Sequence, residues 1–252
     1  MSDAIPRRAL VTGAAHRIGR AIATDLAANG YDVAIHANRS ADAARALADE
    51  LAVAHGVATA AVTADLSDPA AVAGIVPAAT AAIGPLGILV NNASLFEEDA
   101  IDTVTDETFR LHMAVNAEAP VLLTRAFAEG GGPGLVVNVI DQRVWKPTPR
   151  FLSYSASKAT LWWLTRTMAQ ALAPRIRVVA VSPGPTLKAA RQSQEDFDGL
   201  VATVPLRAAP PLADFGRTIR YLAETGSVTG QMIALDGGQH LAWETPDALV
   251  NE

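Results

Sequence analysis

Residues 8–19 read RALVTGAAHRIG, an apolar run that passes directly into a turn bounded by Gly13 and Gly19. A helical pattern follows over about residues 17–29. Glycine allows a tight turn and a close approach of the backbone, and the amino end of a helix offers unpaired N–H groups to a phosphate. Two such glycines are a weak signal alone, and a purely structural turn is the alternative. Their position between a first strand and its helix favours a nucleotide-binding loop.

Short apolar runs recur along the chain and alternate with longer helical patterns. The runs lie at residues 8–12, 32–36, 60–64, 88–91, 135–140, 177–181 and 232–235. They are rich in β-branched residues and lack alternating polarity, which is typical of strands buried on both faces. The helical patterns cover about residues 17–29, 41–55, 68–83, 104–129, 153–173 and 212–224.

This alternation predicts the α/β fold class, with a single doubly wound Rossmann-type domain in which a seven-stranded parallel sheet carries helices on both faces. We expect the domain to span residues 1–252, with terminal tails at residues 1–7 and 243–252. The stretch at residues 188–204 is polar and acidic at its centre. We therefore expect a mobile substrate lid at about residues 186–205.

The composition excludes several classes of function. Half of the 252 residues are hydrophobic and 18% are charged, as in a globular protein. The absence of cysteine excludes a disulfide framework, a thiolate zinc site and a cysteine nucleophile. The net charge of −6 offers no basic face for nucleic acid. No set of His, Asp and Glu residues has metal-ligand spacing, so we expect no catalytic metal.

No membrane segment is expected either. Residues 69–96 carry no charge, but prolines, glycines and an Asn-Asn pair interrupt them repeatedly. A spanning helix tolerates one such breaker rather than this many. No apolar segment follows the first eight residues, so no signal peptide is predicted. We expect a soluble, cytoplasmic protein.

The end of the second predicted strand carries the run HANRS, at residues 36–40. A protein that binds NAD would place an acidic residue here for the ribose hydroxyls. The Arg39 guanidinium, with amide and hydroxyl groups beside it, instead suits a 2′-phosphate. The sequence thus favours NADPH over NADH, with Arg17 as a second cation near the phosphates. A solvated loop arginine is the alternative for Arg39.

With these motifs the sequence resembles the short-chain dehydrogenase/reductases over nearly the whole chain. Four further family motifs follow in order: Asp65-Leu66, Asn91-Asn92-Ala93-Ser94, the YxxxK pair Tyr154 and Lys158, and Pro183-Gly184 with Thr186. The resemblance implies a bound NADPH/NADP cofactor. The cofactor-binding residues expected from the loop and from the resemblance are Gly13, His16, Arg17, Ile18, Gly19, His36, Asn38, Arg39, Ser40, Asp65, Leu66, Asn91, Ala93, Ser94, Tyr154, Lys158, Pro183, Gly184 and Thr186.

Tyr154 and Lys158 are four residues apart, so both side chains share one face of a helix. Tyrosine has a pKa of about 10 and exchanges protons reluctantly at neutral pH. We expect the Lys158 ammonium to favour the phenolate and to reach the ribose hydroxyls. An ordinary surface pair is the alternative.

Asp141 lies 13 residues before the tyrosine, where most of the family has a serine. An ionised carboxylate would repel the alkoxide that develops from a ketone. If it is protonated, or shares a proton with Tyr154, Asp141 could instead deliver a proton to a ring nitrogen or hold a basic heterocycle. A turn cap before Pro147 is the alternative.

Arg17, Asp141 and Phe96 occur together in one branch, the pteridine reductases and related dihydromonapterin reductases, and the sequence is similar to that branch. The resemblance implies NADPH-dependent hydride transfer to a pterin ring of the dihydropterin or dihydrofolate type. The pterin would stack between the nicotinamide and Phe96. The implied substrate contacts are Arg17, Ser94, Phe96, Asp141 and Tyr154. The implied catalytic residues are Asp141, Tyr154, Lys158 and Asn116, the last holding a water linked to the lysine.

Other interpretations stay open. Phe96 could belong to the core, and His240, after the last strand, could reach an active site, its own or a neighbour's. The chain could be a carbonyl reductase of the same family, acting on a small ketone or keto ester, or a regulator that senses NADPH without turnover. The helix at residues 153–173 is apolar on more than one face, and similar proteins pair it across a dimer axis. We therefore expect a homotetramer.

Overall fold

Seven strands form one parallel sheet in the computed structural model, which describes residues 5–189 and 192–244. The strands are β1 (Arg8–Val11), β2 (Asp32–Ala37), β3 (Thr59–Thr63), β4 (Ile88–Asn91), β5 (Gly134–Val139), β6 (Ile176–Pro183) and β7 (Met232–Leu235). Their order across the sheet is β3-β2-β1-β4-β5-β6-β7, and every neighbouring pair is parallel. The predicted fold class is confirmed.

The helices are α1 (Arg17–Ala28), α2 (Ala41–His55), α3 (Pro69–Ile83), α4 (Asp106–Met113), α5 (Ala119–Glu129), α6 (Leu152–Leu172), α7 (Gln194–Thr203) and α8 (Leu212–Glu224). A π-helical turn, Ala114–Glu118, joins α4 to α5, and short 3-10 turns cover Gln142–Val144 and Gln239–Leu241. The helical segment predicted over residues 104–129 is present over residues 106–129, and the π turn interrupts its regular α-helix. The predicted lid contains α7. Residues 190–191 of that lid, and residues 1–4 and 245–252 of the predicted tails, lie outside the described residues.

Two apolar clusters hold the helices against the two faces of the sheet. Successive side chains of a strand point to opposite faces. In β1, accordingly, Ala9 and Val11 belong to one cluster and Leu10 to the other. The first cluster includes residues of α1, α2 and α8, and the second includes residues of α3, α5 and α6. Both faces are covered, which explains why the strands are apolar throughout.

The strand order places a crevice at the carboxyl ends of β1 and β4. The chain runs outward from β1 through β2 to β3 and then returns to the other side of β1 to add β4. At this reversal the loops after β1 and β4 diverge, and parallel α/β sheets bind their ligands at such points. The fold therefore brings the glycine loop and the Asn-Asn-Ala-Ser motif to one place.

Two kinds of feature are absent from the residues that the structure describes: a membrane-spanning helix and a metal-binding cluster. Among residues 5–189 and 192–244, no helix combines the length and the apolar character that crossing a bilayer requires. Within the same residues, no group of three or more His, Asp or Glu side chains is placed to hold a metal ion.

Candidate active site

A cavity of about 710 Å³ opens at the carboxyl ends of the central strands. The predicted cofactor and substrate residues on its wall are Gly13, His16, Arg17, Ile18, Gly19, His36, Asn38, Arg39, Asp65, Leu66, Ala93, Ser94, Phe96, Asp141, Tyr154, Lys158, Pro183 and Gly184. Residues from six separate motifs thus meet in one cavity whose volume is typical of small-molecule sites.

Four predicted site residues do not line this cavity. Ser40 is the N-cap residue of α2, and the buried Thr186 donates its hydroxyl to the carbonyl oxygen of Gly184. Asn91 and Asn116 are buried and bonded to other side chains. The wall residues that sequence reasoning missed are Ser67, Asn92, Leu95, Leu111, Val115, Val139 and Ile140. Most of these are apolar residues, which carry no motif that could have identified them.

The glycine loop packs too closely against the end of β4 to accommodate side chains. Gly13 has a φ of +61°, and a Cβ built on it would lie 2.8 Å from the Cα of Ala93. A Cβ on Gly19 would lie 2.4 Å from the carbonyl oxygen of Gly13. Both positions therefore require glycine. The resulting cradle keeps the amino end of α1 on the cavity wall, where a pyrophosphate would bind.

Hydrogen bonds between the ends of β1 and β4 fix this loop. The Thr12 hydroxyl accepts from the N–H groups of Asn92 and Ala93, both at 3.0 Å. The Asn92 side-chain amide donates to the carbonyl oxygens of Thr12 (2.8 Å) and Gly13 (3.2 Å). Sequence reasoning assigned Thr12 no role. A hydroxyl residue at the very end of an apolar strand was the available signal.

His36 supports the loop from the side of β2. Its Nδ1 accepts from the N–H of Gly13 at 3.4 Å, and its Nε2 lies 3.2 Å from the carbonyl oxygen of Ala64. Burial lowers the pKa of His36, which favours the neutral ring with its hydrogen on Nε2. The imidazole is thus engaged on both nitrogens with the backbone, although it also lines the cavity.

The opposite end of the cavity carries the residues predicted to bind the adenosine part of the cofactor. Asn38 and Arg39 are exposed after β2 and face Asp65, which follows β3. The pKa of Asp65 lies below its usual value, chiefly because the N–H and hydroxyl of Ser67 both donate to Oδ1 at 2.8 Å. Asn38 and Arg39 add to this lowering. The end of β2 therefore presents a cation and an amide, as predicted from the HANRS run.

Helix α6 positions the two residues of the YxxxK pair, and Asp99 anchors its first turn. The buried Asp99 carboxylate accepts from the N–H of Ser153 at 3.0 Å and from the Ser153 hydroxyl. Tyr154 and Lys158 are both buried on the face of α6 that looks into the cavity. The surface-pair alternative is therefore wrong. Asp99 was not predicted, because it lies in a loop without a motif.

Asp141 and Tyr154 form a direct pair. The Tyr154 hydroxyl donates to Oδ2 of Asp141 at 2.8 Å, and the Lys158 ammonium donates to the carbonyl oxygen of Val139 at 2.8 Å. Asp141 also caps the 3-10 turn by accepting from the N–H of Arg143. The predicted partnership of Asp141 with Tyr154 and the alternative of a turn cap are thus both present.

Burial dominates the protonation of this group. It lowers the pKa of Lys158 to about 8, and the Asp141 carboxylate partly offsets this effect. Burial, followed by the charge and hydrogen bond of Asp141, raises the pKa of Tyr154 well above its usual value, with Arg143 opposing. The direction is opposite to the one expected from the Lys158 ammonium alone. Tyr154 holds its proton, as a proton donor must.

Asn116 lies in the π turn and joins two parts of the site. Its Oδ1 accepts from the N–H of Leu95 at 2.8 Å and from the Ser94 hydroxyl at 3.2 Å. Its Nδ2 donates to the carbonyl oxygen of Leu95 and to the Ser157 hydroxyl. These four contacts occupy the side-chain amide and fix the loop after β4 against α6.

Phe96 is one member of an aromatic group at the mouth of the cavity. Its ring stacks on Phe151 with centroids 4.6 Å apart and meets the Tyr154 ring edge-on at 4.7 Å. It is half-buried and lines the cavity, which argues against an ordinary core position. Phe151 was not predicted from the sequence.

Arg17 links the glycine loop to the predicted lid. Its guanidinium donates to the carbonyl oxygens of Leu187 and Lys188, both at 3.0 Å. Its backbone is left-handed, with a φ of 55°. Arg17 thus lies between the cradle for the phosphates and the segment that covers the cavity.

His240 does not line the cavity of its own chain. Its Nδ1 lies 2.6 Å from Oδ2 of the buried Asp236, and its ring packs on Trp145 with centroids 4.9 Å apart. Among the described residues, His240 therefore connects the turn after β7 to the turn after β5.

Fold and site together define a nucleotide-dependent α/β oxidoreductase with a YxxxK pair. Residues 7–198 match the family described as short chain dehydrogenase, and the chain belongs to this family. An uncharacterized oxidoreductase of Methylorubrum extorquens is 35% identical, over 94% of this chain and 99% of its own.

Two solved structures from Brucella are similar over nearly all of the chain. The FolM alternative dihydrofolate reductase 1 of Brucella canis, complexed with NADP, has a TM-score of 0.93 and 52% identity, covering 98% of this chain and 97% of its own. The same protein of Brucella suis, in complex with NADP, gives a TM-score of 0.93 and 52% identity, covering 98% and 99%.

Proposed function

We propose that this protein is an NADPH-dependent reductase that transfers hydride to a pterin ring of the dihydropterin or dihydrofolate type. The observation that carries the proposal is the hydrogen bond between Tyr154 and Asp141 on the wall of a cavity that Phe96 also lines. A carboxylate at this point suits a basic heterocycle better than a ketone. The 52% identity to two dihydrofolate reductases solved with NADP supports it further.

The residues present fit NADPH, which supplies a hydride when it is bound. The cradle around Gly13 excludes side chains and suits the pyrophosphate at the start of α1. Arg39, with Asn38 and Ser40, would hold the 2′-phosphate. The remaining proposed cofactor contacts are His16, Arg17, Ile18 and Gly19 near the phosphates, Asp65 and Leu66 near the adenine, Asn91, Ala93, Ser94 and Lys158 near the ribose, and Pro183, Gly184 and Thr186 near the nicotinamide.

The chain's own part in the reaction is proton supply and orientation. Reduction of a ring C=N bond adds a hydride to carbon and a proton to nitrogen, so one proton must come from the protein or from water. Tyr154 carries that proton, since burial and Asp141 hold its pKa well above its usual value. Phe96 would stack on the pterin, and Arg17 and Ser94 would bind its polar edge.

The first experiment is NADPH oxidation with dihydropterin, dihydrofolate and a panel of small ketones, for the wild type and Asp141→Ser. We expect pterin turnover that collapses in Asp141→Ser. The exposed Asp49→Ser on α2 is the matched control and should keep full activity. Ketone turnover alone, equal or better in Asp141→Ser, would instead make the protein a carbonyl reductase. NADPH binding without any turnover would indicate a sensor.

We also propose a cytoplasmic homotetramer assembled partly through α6. Trp163 on α6 is 64% exposed and Phe109 on α4 is 39% exposed, and apolar side chains in such positions are typical of interfaces. Sedimentation velocity checks the assembly, because a stable monomer at micromolar concentration would exclude it. Cell fractionation checks the location.

A further inference from the structure

Arg143 contacts the Asp141 carboxylate without lining the cavity. It lies in the 3-10 turn Gln142–Val144 and is not part of the cavity wall. Its backbone N–H donates to Oδ1 of Asp141 at 2.8 Å, and its guanidinium donates to Oδ2 at 3.0 Å. The Arg143 side chain is 24% exposed and that of Asp141 14% exposed, so water screens this ion pair only partly.

The hydrogen bonds around Asp141 fix the orientation of its carboxylate. Oδ2 receives the Tyr154 hydroxyl and the Arg143 guanidinium, and Oδ1 receives the Arg143 N–H. The two bonds from Arg143 hold both oxygens of the carboxylate, so that Oδ2 stays within reach of the Tyr154 hydroxyl.

The same guanidinium also holds the aromatic wall. Its central carbon lies 5.6 Å from the ring centroid of Phe96 and 5.2 Å from that of Phe151. The Phe96 ring in turn meets the Tyr154 ring edge-on. Arg143 therefore contacts both the carboxylate that is hydrogen-bonded to Tyr154 and a ring that packs on Tyr154. An arginine suits this double task, since its planar cation can bind a carboxylate and stack on rings at once.

We propose that Arg143 is a positioning residue: it holds the Asp141 carboxylate aimed at Tyr154, so that the tyrosine hydroxyl stays in place for proton transfer. The inference rests on the proposed pterin reduction for its kinetic readout. The Asp141 charge also acts on Lys158, which lies on α6 beside Tyr154. Lys158 is bound to the Val139 carbonyl rather than to the carboxylate, so it does not replace Arg143.

Arg143→Met removes the cation and keeps much of the apolar bulk. We expect kcat for pterin reduction to fall on the order of tenfold to a hundredfold, as for other residues that orient a catalytic group. NADPH affinity should stay within about threefold, because Arg143 lies outside the cavity. Arg143→Lys keeps the charge and should recover part of kcat. Millimolar methylguanidine should restore part of the loss in Arg143→Met, which a merely structural defect would not allow.

Arg150→Met is the matched control. Arg150 also lies over the Phe151 ring, at 5.6 Å, but pairs with Glu98 rather than with Asp141. We expect this variant to retain kcat within about twofold. An equal loss in Arg150→Met and Arg143→Met would overturn the proposal, as would a loss confined to NADPH affinity.

A crystal structure of Arg143→Met separates this inference from the proposed function. The distance between the Tyr154 hydroxyl and Asp141 Oδ2 is 2.8 Å in the wild-type structure. We expect this hydrogen bond to be broken in the variant. An unchanged bond would refute the role of Arg143 even if pterins are reduced. Absence of pterin turnover in the wild type would refute the proposed function, while the distance still decides the role of Arg143. If Arg143→Met does not fold, Arg143→Gln, which also removes the cation, takes its place in the same measurements.

Discussion

The Lys158 ammonium donates to the carbonyl oxygen of Val139 at 2.8 Å while only 2% of the residue is exposed. Val139 ends β5, two residues before Asp141. The lysine is therefore tied to the sheet beside the Asp141 carboxylate, and its charge is almost completely buried. The pKa of about 8 follows from this burial.

Replacing this lysine should change how stability depends on pH. The pKa of Lys158 is lowered from 10.5 to about 8, so between these values the unfolded chain binds more protons and the wild type gains stability as pH rises. Below about pH 8 the cost of the buried charge is fully present. We compare the free energy of unfolding of Lys158→Met with that of the wild type. The difference should favour the variant most near pH 7 and should shift by about 3 kcal/mol toward the wild type by about pH 10.5.

Denaturant unfolding across this pH range measures the effect. The Val139 carbonyl loses its donor in Lys158→Met at every pH, so this loss does not alter the slope. Lys146→Met, at an exposed position, is the control and should follow the wild type. A stability difference between Lys158→Met and the wild type that is constant with pH would refute the lowered pKa.

Tyr154→Phe should abolish turnover, because it removes the hydroxyl that carries the proton and leaves the ring in place. NADPH affinity should stay within about threefold, as expected when only a transition-state interaction is lost. Steady-state kinetics and NADPH fluorescence titration check both statements. Tyr221→Phe, at a 53% exposed position, should behave as the wild type. Retained activity in Tyr154→Phe would remove Tyr154 from the mechanism.

Arg39→Ala should discriminate between the two nicotinamide cofactors. The loss of a charged hydrogen bond to a phosphate costs about 1.5–3 kcal/mol, which weakens NADPH roughly tenfold to a hundredfold. NADH affinity should change little. Arg45→Ala, which removes an exposed arginine of α2 paired with Asp42, provides the comparison. Equal weakening of NADPH and NADH would mean that Arg39 does not recognise the 2′-phosphate.

Gly13→Ala and Gly56→Ala separate backbone strain from crowding. Both glycines have positive φ, +61° and +65°, but a Cβ on Gly56 meets nothing within 4 Å. We expect Gly56→Ala to cost about 1–2 kcal/mol of folding free energy through strain alone. Gly13→Ala should cost more and should also weaken NADPH. Similar unfolding midpoints for the two variants would contradict the close contact with Ala93.

Arg17→Ala should expose the predicted lid to proteolysis. Arg17 donates a hydrogen bond to the carbonyl oxygen of Lys188. This carbonyl is part of the peptide bond that trypsin cuts after Lys188. Without the guanidinium, local opening should become more frequent and cleavage severalfold faster. Mass spectrometry of the early fragments identifies the cut. Arg20→Ala removes another trypsin site on α1 and a salt bridge to Glu50, and should leave the rate after Lys188 unchanged. Equal rates in both variants would refute the contact.

The sheet and most helices could be predicted because their signal is local. Each strand is a short, mainly apolar run, and the central strands β1, β4 and β5 are buried on both faces. The π turn could not be predicted from residues 104–129. Its stabilising contacts come from Leu95 and Ser157, which lie far from Asn116 in the sequence. Helical periodicity contains no information about such contacts.

The residues of the site also fall into two groups, those that the sequence could predict and those that it could not. Gly13, Tyr154 and Asp141 belong to motifs with fixed spacing, and the structure places all three on the cavity wall. Arg143 acts through its distance to a carboxylate and to two rings. An arginine two residues after an aspartate is not a motif, so only the folded arrangement identifies it. The sign of the pKa shift at Tyr154 likewise depended on burial, which spacing does not provide.

The wider turn at Ala114–Glu118 makes the length of this segment a constraint in its own right. A π turn takes in one residue more than a regular α-helical turn. Deleting one of these five residues would let the helix run on regularly. Asn116 would then lose the displaced position from which it reaches Leu95 and Ser157 together. Point substitutions here change one side chain, whereas a change of length would release the loop after β4 from α6.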